Sequence, residues 1–99
     1  MANYIGVKAA HATLGASTVD TVTLTATNGK LTLLNRSGAA EIYFTISIDG
    51  TAPSPPTVLG TDCFVLPAAI GSVEIPVSGE PTIVKLISTG TPTYSVEVL

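Results

Sequence analysis

Charge is scarce in this chain. Only 11% of its 99 residues are Asp, Glu, Lys or Arg, against about a quarter in an average soluble domain. A folded chain of this length exposes on the order of 5,000 Å², so each ionised group has about 500 Å² to solvate. Thr and Ser hydroxyls and apolar groups must cover the rest. Exposed apolar patches beyond a few hundred Å² drive association. The shortage therefore points to a surface covered by copies of the chain or by a larger assembly.

Other absences narrow the function further. Lys8, Lys30, Arg36 and Lys85 are the only Lys or Arg residues, and the net charge is −3. That excludes an electrostatic grip on nucleic acid, which needs a row of cations to neutralise phosphates. A single cysteine, Cys63, leaves no intrachain disulfide, as expected of a product matured in a reducing cytoplasm, and suits a small core position. Tryptophan is absent and aromatics make up 5%, thin for a sugar-binding platform. No apolar run approaches the roughly 20 residues that span a bilayer, so no membrane partner is expected. The opening Ala2-Asn3-Tyr4-Ile5-Gly6-Val7-Lys8 lacks the basic start and apolar core of a secretory signal.

What is abundant is alternation. Val22, Leu24 and Ala26 interleave with Thr21, Thr23, Thr25 and Thr27, and Ile42, Phe44, Ile46 and Ile48 interleave with Tyr43, Thr45 and Ser47. This period of two predicts half-buried β-strands with hydroxyl-bearing outer faces. Asn28-Gly29 predicts a two-residue type I′ hairpin joining strand 18–27 to a partner at 30–35. Arg36-Ser37-Gly38 predicts the next turn, and Asp49-Gly50 ends a strand over 41–48 that reads as internal to a sheet. Pro53, Pro55 and Pro56 make residues 51–61 a loop, because proline lacks the ladder donor. Segments 62–66, 72–77, 82–88 and 93–99 read as further strands. The strand over 82–88 is apolar on both faces, which predicts burial on both sides or beneath a neighbouring subunit. The apolar end at Val96, Val98 and Leu99 predicts a last strand tied into a sheet or an interface.

These elements define an all-β fold, an antiparallel β-sandwich of about seven to eight short strands. Residues 1–17, with Ala9, Ala10, Ala12, Gly15 and Ala16 offering little to a core, read as an N-terminal arm with one short strand near Tyr4–Val7. Residues 18–99 read as the sandwich domain.

No residue set is spaced for catalysis or cofactor binding, so no enzyme activity, cofactor or metal is expected. His11 has no nearby nucleophile or orienting carboxylate in sequence. Asp20, Asp49 and Asp62 lack the clustered spacing of a calcium loop and are explained as turn and strand-flanking residues. Glu41, Glu74 and Glu97 lie in expected strands as solubilising carboxylates. Asn35-Arg36-Ser37 is a chance glycosylation sequon. Phe44 and Phe64 are expected inside the sandwich, and Tyr43 is the aromatic expected to face outward. Contact with a partner is expected from Tyr4, Ile5 and Val7 in the arm, Pro53, Pro55 and Pro56 in the long loop, and Tyr43.

Two blocks carry a resemblance: Ile42-Tyr43-Phe44-Thr45 through Asp49-Gly50-Thr51-Ala52-Pro53, and Val84-Lys85-Leu86-Ile87-Ser88-Thr89-Gly90-Thr91-Pro92-Thr93-Tyr94-Ser95-Val96. With Thr21–Thr25, Asn35–Gly38 and Val65–Ala68 they make residues 18–99 similar to small virion structural proteins of tailed bacteriophages, particularly those of actinobacterial hosts. Within that group a free-standing domain of this size resembles a capsid (head) decoration protein. The resemblance implies a homo-oligomer, often a homotrimer, bound outside the shell to the major capsid protein across neighbouring capsomers, with capsid stabilisation as its role. A minor tail or head-to-tail component and a carbohydrate- or host-surface-binding module are the alternatives.

Overall fold

The computed structural model describes residues 2–25, 28–36, 40–47, 50–68, 71–78 and 81–98. Within them the chain forms nine strands: β1 (Ala2–Gly6), β2 (Ala9–Thr13), β3 (Asp20–Leu24), β4 (Asn28–Asn35), β5 (Ile42–Ser47), β6 (Phe64–Leu66), β7 (Ser72–Ser78), β8 (Thr82–Ile87) and β9 (Thr93–Val98). They build a five-stranded sheet in the order β1-β3-β8-β5-β6 and a four-stranded sheet in the order β2-β9-β4-β7. Every pairing is antiparallel except β1 with β3. The expected turn at Arg36-Ser37-Gly38, the Asp49 turn, and Ala26, Thr27, Ile48 and Leu99 fall wholly or partly outside the described residues.

Alternation decides which face each strand buries. Val22 and Leu24 on β3, Val84 and Leu86 on β8, and Ile42 and Phe44 on β5 point inward from one sheet. Leu31 and Leu33 on β4 with Tyr94, Val96 and Val98 on β9 meet them from the other. Together with Leu14 and Leu66 they form one buried cluster, each large side chain contributing about 1.5–3 kcal/mol on removal from water. A polar bond ties the layers inside this core: the Tyr94 hydroxyl donates to Asp20 Oδ2 at 3.0 Å, and both residues are buried.

The Asn28-Gly29 hairpin does not form. β3 and β4 lie in different sheets, and Asn28 and Gly29 open β4 opposite Ser78 and Val77 of β7. The reason is layer packing. Set in facing sheets, Val22 and Leu24 and Leu31 and Leu33 bury against one another, and that gain over many residues outweighs the local preference of one turn. Gly29 keeps a glycine-specific role, since its φ of 135° is one that residues with a side chain rarely adopt.

The described residues 2–17 of the expected arm 1–17 are likewise no separate arm. β1 pairs with β3 and β2 with β9, giving each sheet an edge strand. Leu14 is 1% exposed, and its N–H donates to the Pro92 carbonyl at 2.9 Å. The last strand, by contrast, is inside its sheet as expected, with β9 between β2 and β4.

Buried side chains also fix the connections. Asn35 is fully buried at the end of β4 and donates through Nδ2 to the carbonyls of Ala40 and Pro67, at 2.8 and 3.1 Å. It thus joins the two segments that run past it and is no accessible glycosylation acceptor. Ser88 donates to the Glu41 carbonyl at 2.6 Å and accepts from the Gly90 N–H at 3.2 Å.

Candidate interaction surface

Two kinds of surface result from this topology. Outward from the four-stranded sheet point Lys30, Thr32, Glu74, Ser95, Glu97 and His11, as the pairing registers place them. Lys30 and Glu74 approach to 3.8 Å. His11 Nδ1 and Ser95 Oγ share a hydrogen bond at 2.7 Å, a pairing across 84 residues of sequence. Edge strand β7 of this sheet carries Pro76 and Glu74, residues that discourage a further strand from adding.

The five-stranded sheet is different. Among the described residues the exposed large apolar side chains are Ile5 (80%), Val7 (66%), Leu59 (80%), Phe64 (64%) and Val65 (49%). Ile5 lies on edge strand β1 and Val7 just beyond it. Phe64 and Val65 lie on the opposite edge strand β6, and Leu59 is in the loop that leads into it. Between the edges, Ile83 and Ile87 of β8 look outward half-buried.

The loop of residues 50–63 explains a reversal of two aromatic expectations. Tyr43 and Thr45 point away from the core, yet each is only 7% exposed, because the loop folds back over them. Thr45 Oγ1 donates to the Ser54 carbonyl at 2.6 Å, and Pro56 is buried. Tyr43 thus faces outward as expected but is covered by the loop and not exposed. Its hydroxyl donates to Glu41 Oε1 at 3.3 Å, and desolvation, reinforced by the Glu41 charge, raises its pKa. The exposed ring is Phe64, which leans on core residue Phe44 with 5.8 Å between ring centroids. The sequence reading placed Phe64 inside the sandwich, and the register does turn it to the face of Phe44, but at an edge strand one side of an inward-pointing ring stays wet.

The loop's tip is a built turn. The Gly60 N–H donates to the Thr57 carbonyl at 2.9 Å, and a Cβ at Gly60 would run into Thr57 Oγ1. Leu59 sits in the left-handed region at φ 58° and projects into solvent. Cys63, half-buried and not a core residue, donates its thiol to the Thr57 carbonyl at 3.2 Å. Residues 54–63 enclose an open cleft of about 370 Å³.

Of the expected contact residues, Ile5 and Val7 are exposed and Pro55 is accessible, whereas Pro53 and Tyr4 are half-buried. Tyr43 and Pro56 are buried within the chain beneath or in the loop and are not exposed as expected. Leu59, Phe64 and Val65 were missed; the exposed end of a three-residue edge strand leaves no mark in a pattern of alternation. Asp20 is committed to Tyr94 in the core and Asp62 lies in an exposed turn. Among the described residues no three His, Cys, Asp or Glu side chains gather as metal ligands, and no helix is long and apolar enough to cross a membrane.

The chain matches no protein-family model and no curated protein significantly. Its fold is similar to that of PliG, a periplasmic inhibitor of g-type lysozyme from Aeromonas hydrophila, with a TM-score of 0.55 and 13% identity over 98% of this chain and 99% of that one. The pre-peptidase C-terminal domain of a Bacillus anthracis collagenase superposes with a TM-score of 0.47 and 14% identity, over 100% of this chain and 95% of that one. The likeness to PliG bears on fold alone and agrees with a two-sheet β-sandwich.

Proposed function

We propose that this chain is a non-enzymatic virion protein of a tailed phage that binds the outer surface of the capsid shell and bridges neighbouring capsomers. One observation carries the reading: the exposed large apolar side chains gather at the two edges of one sheet and on the loop beside it. Scattered apolar residues are ordinary on a soluble monomer, but a set that among the described residues gathers at and beside the edges of one sheet is what an assembling protein presents. The scarcity of charge and the resemblance of residues 18–99 to small phage virion proteins support the same conclusion. The mechanism is interfacial. Repeated contacts over a lattice add avidity without any single tight site, and each adds buried area that resists outward pressure on the shell.

Quantitative mass spectrometry of purified virions tests this, together with rebinding of the protein to emptied shells. Hundreds of copies per particle and saturable rebinding are expected. A few dozen copies or fewer would move the protein to the tail or head-to-tail junction. Inhibition of g-type lysozyme in a cell-wall turbidity assay, without shell binding, would replace the reading with an inhibitor function. Selective binding on a glycan array would replace it with a host-surface module.

A further inference from the structure

The two open edges of the five-stranded sheet run in opposite directions. β1 is parallel to β3, β3 antiparallel to β8, β8 to β5, and β5 to β6, so β6 runs antiparallel to β1. Two copies set side by side with the same face outward would therefore bring β6 of one against β1 of the next in antiparallel order, the pairing that outnumbers parallel in proteins. We infer that copies of this chain join head to tail through these strands, continuing the five-stranded sheet from one subunit into the next.

The side chains select a register. Val65 opposes Tyr43 and Ile5 opposes Thr23, which places both on the outer face of the sheet. Setting Val65 against Ile5 brings Phe64 opposite Gly6 and Leu66 opposite Tyr4. Two exposed β-branched side chains then cover each other, and the Phe64 ring lies over a residue with no side chain, an arrangement that stabilises cross-strand pairs. Shifting by two residues would set Val65 against Asn3 and Ile5 against Cys63, or in the other direction Val65 against Val7 and Ile5 against Pro67, in each case moving a partner outside β1 or β6. No residue of β1 or β6 carries a charge and both present exposed large apolar side chains, whereas the other sheet's edges are β7, with Glu74 and Pro76, and β2, with Ala, His and Thr side chains. The occupant of each edge is thus the other edge of the same chain, a heterologous contact that closes into a ring when its rotation permits.

This deepens the proposed function by naming how copies associate, and it is tested without the shell. In a Cys63→Ser background, Ile5→Cys and Val65→Cys are made as separate full-length variants, mixed at high concentration and mildly oxidised. Directly opposed antiparallel residues have Cα atoms about 4.5–5.5 Å apart, within disulfide reach. The expected result is a disulfide dimer in the mixture linking position 5 to position 65, with each variant alone uncrosslinked. The edges of one sheet lie about 19 Å apart at about 4.8 Å per strand, so no link forms within a subunit. Dimers from either variant alone at equal yield would replace the pairing with a twofold one, and no dimer in the mixture would overturn it. As a second measurement, Val65→Lys is expected to lower the sedimentation coefficient to that of the monomer without lowering Tm; an unchanged oligomer would also overturn the pairing. Shell binding without crosslinking would sink the pairing alone, whereas crosslinking without shell binding would sink the proposed function and leave the pairing standing.

Discussion

The two sheets share one core but treat water differently. The four-stranded sheet spends Lys30, Glu74 and Glu97, together with His11, on its outer face, and Pro76 on an edge. The five-stranded sheet shows outward Ile5, Ile83, Ile87 and Val65, with Lys85 as the cation among its strands. A chain this poor in charge does not thin it evenly. It concentrates polar groups where the surface faces solvent and leaves the other sheet's edges free of the usual guards against strand addition.

The largest test of this contrast removes one edge strand from each sheet together. Deleting residues 2–14 takes away β1, β2 and the fully buried Leu14. It exposes the flanks of β3 and β9 and opens a cavity, so the truncated chain is expected to lack a cooperative thermal transition and most of its β circular dichroism. Retention of a cooperative melt would restore residues 1–17 to the status of a separable arm and detach the apolar β1 edge from the fold.

The difficulty of seeing this in the sequence is physical. Alternation of apolar with polar residues located β3, β5, β7 and β9, and an apolar run between turn signals located β8, because their apolar faces are large. β2 is Ala-Ala-His-Ala-Thr, whose small side chains fill the narrow margin of a sandwich and leave almost no amphipathic signal. The partner of each strand was also hidden. Asn28-Gly29 is a strong local turn signal, but pairing is settled by which layers bury together, and no window of ten residues contains that. Tyr43 and Phe64 exchanged roles for a similar reason. A residue's face follows from alternation, whereas its exposure depends on a loop or an edge defined elsewhere in the chain. The proline-rich loop was legible as a loop, but its return over Tyr43 and Thr45 was not.

The sheets are joined inside the core by Tyr94 of one and Asp20 of the other, and Tyr94→Phe cuts that link. A hydrogen bond to a carboxylate is worth about 1.5–3 kcal/mol, the loss expected at pH 7 from urea unfolding. The pH dependence follows from the raised pKa of Tyr94, caused first by burial and then by the Asp20 charge. The folded state favours the protonated phenol, so its stabilisation is complete below the ordinary tyrosine pKa of about 10 and is lost as pH climbs above it, by up to about 1.4 kcal/mol per pH unit. The native protein should therefore lose stability more steeply above pH 10 than Tyr94→Phe, with Tyr43 adding a decline common to both. Parallel curves would show that the link between sheets is not protonation-sensitive.

Thr82 offers an effect of opposite sign within the five-stranded sheet. It opposes Leu24 on the inner face, fully buried, and its Oγ1 is the buried side-chain atom without a partner among the described residues. An unmade hydrogen bond costs about 1–3 kcal/mol, and valine has nearly the same shape. Thr82→Val is expected to stabilise by about 1 kcal/mol, raising Tm by about 4–8 °C for a domain of this size. A lower Tm would mean that the hydroxyl has a partner on binding or assembly, and would mark that end of β8 as contact surface.

The smallest effect is expected on the polar sheet, where it separates solubility from stability. Lys30 and Glu74 lie 3.8 Å apart with their side chains 59% and 63% exposed, so salt and water screen the pair and its worth is within about 0.5 kcal/mol. Lys30→Ala and Glu74→Ala should leave Tm almost unmoved. They also remove charges from a surface that has few, beside the edge strand that Glu74 guards. If that guard is what keeps β7 from accepting another strand, Glu74→Val should lower the concentration at which the protein aggregates while its unfolding curve stays in place. Unchanged solubility would show that Pro76 alone protects this edge, and the asymmetry between the sheets would then rest on one proline and not on the distribution of charge.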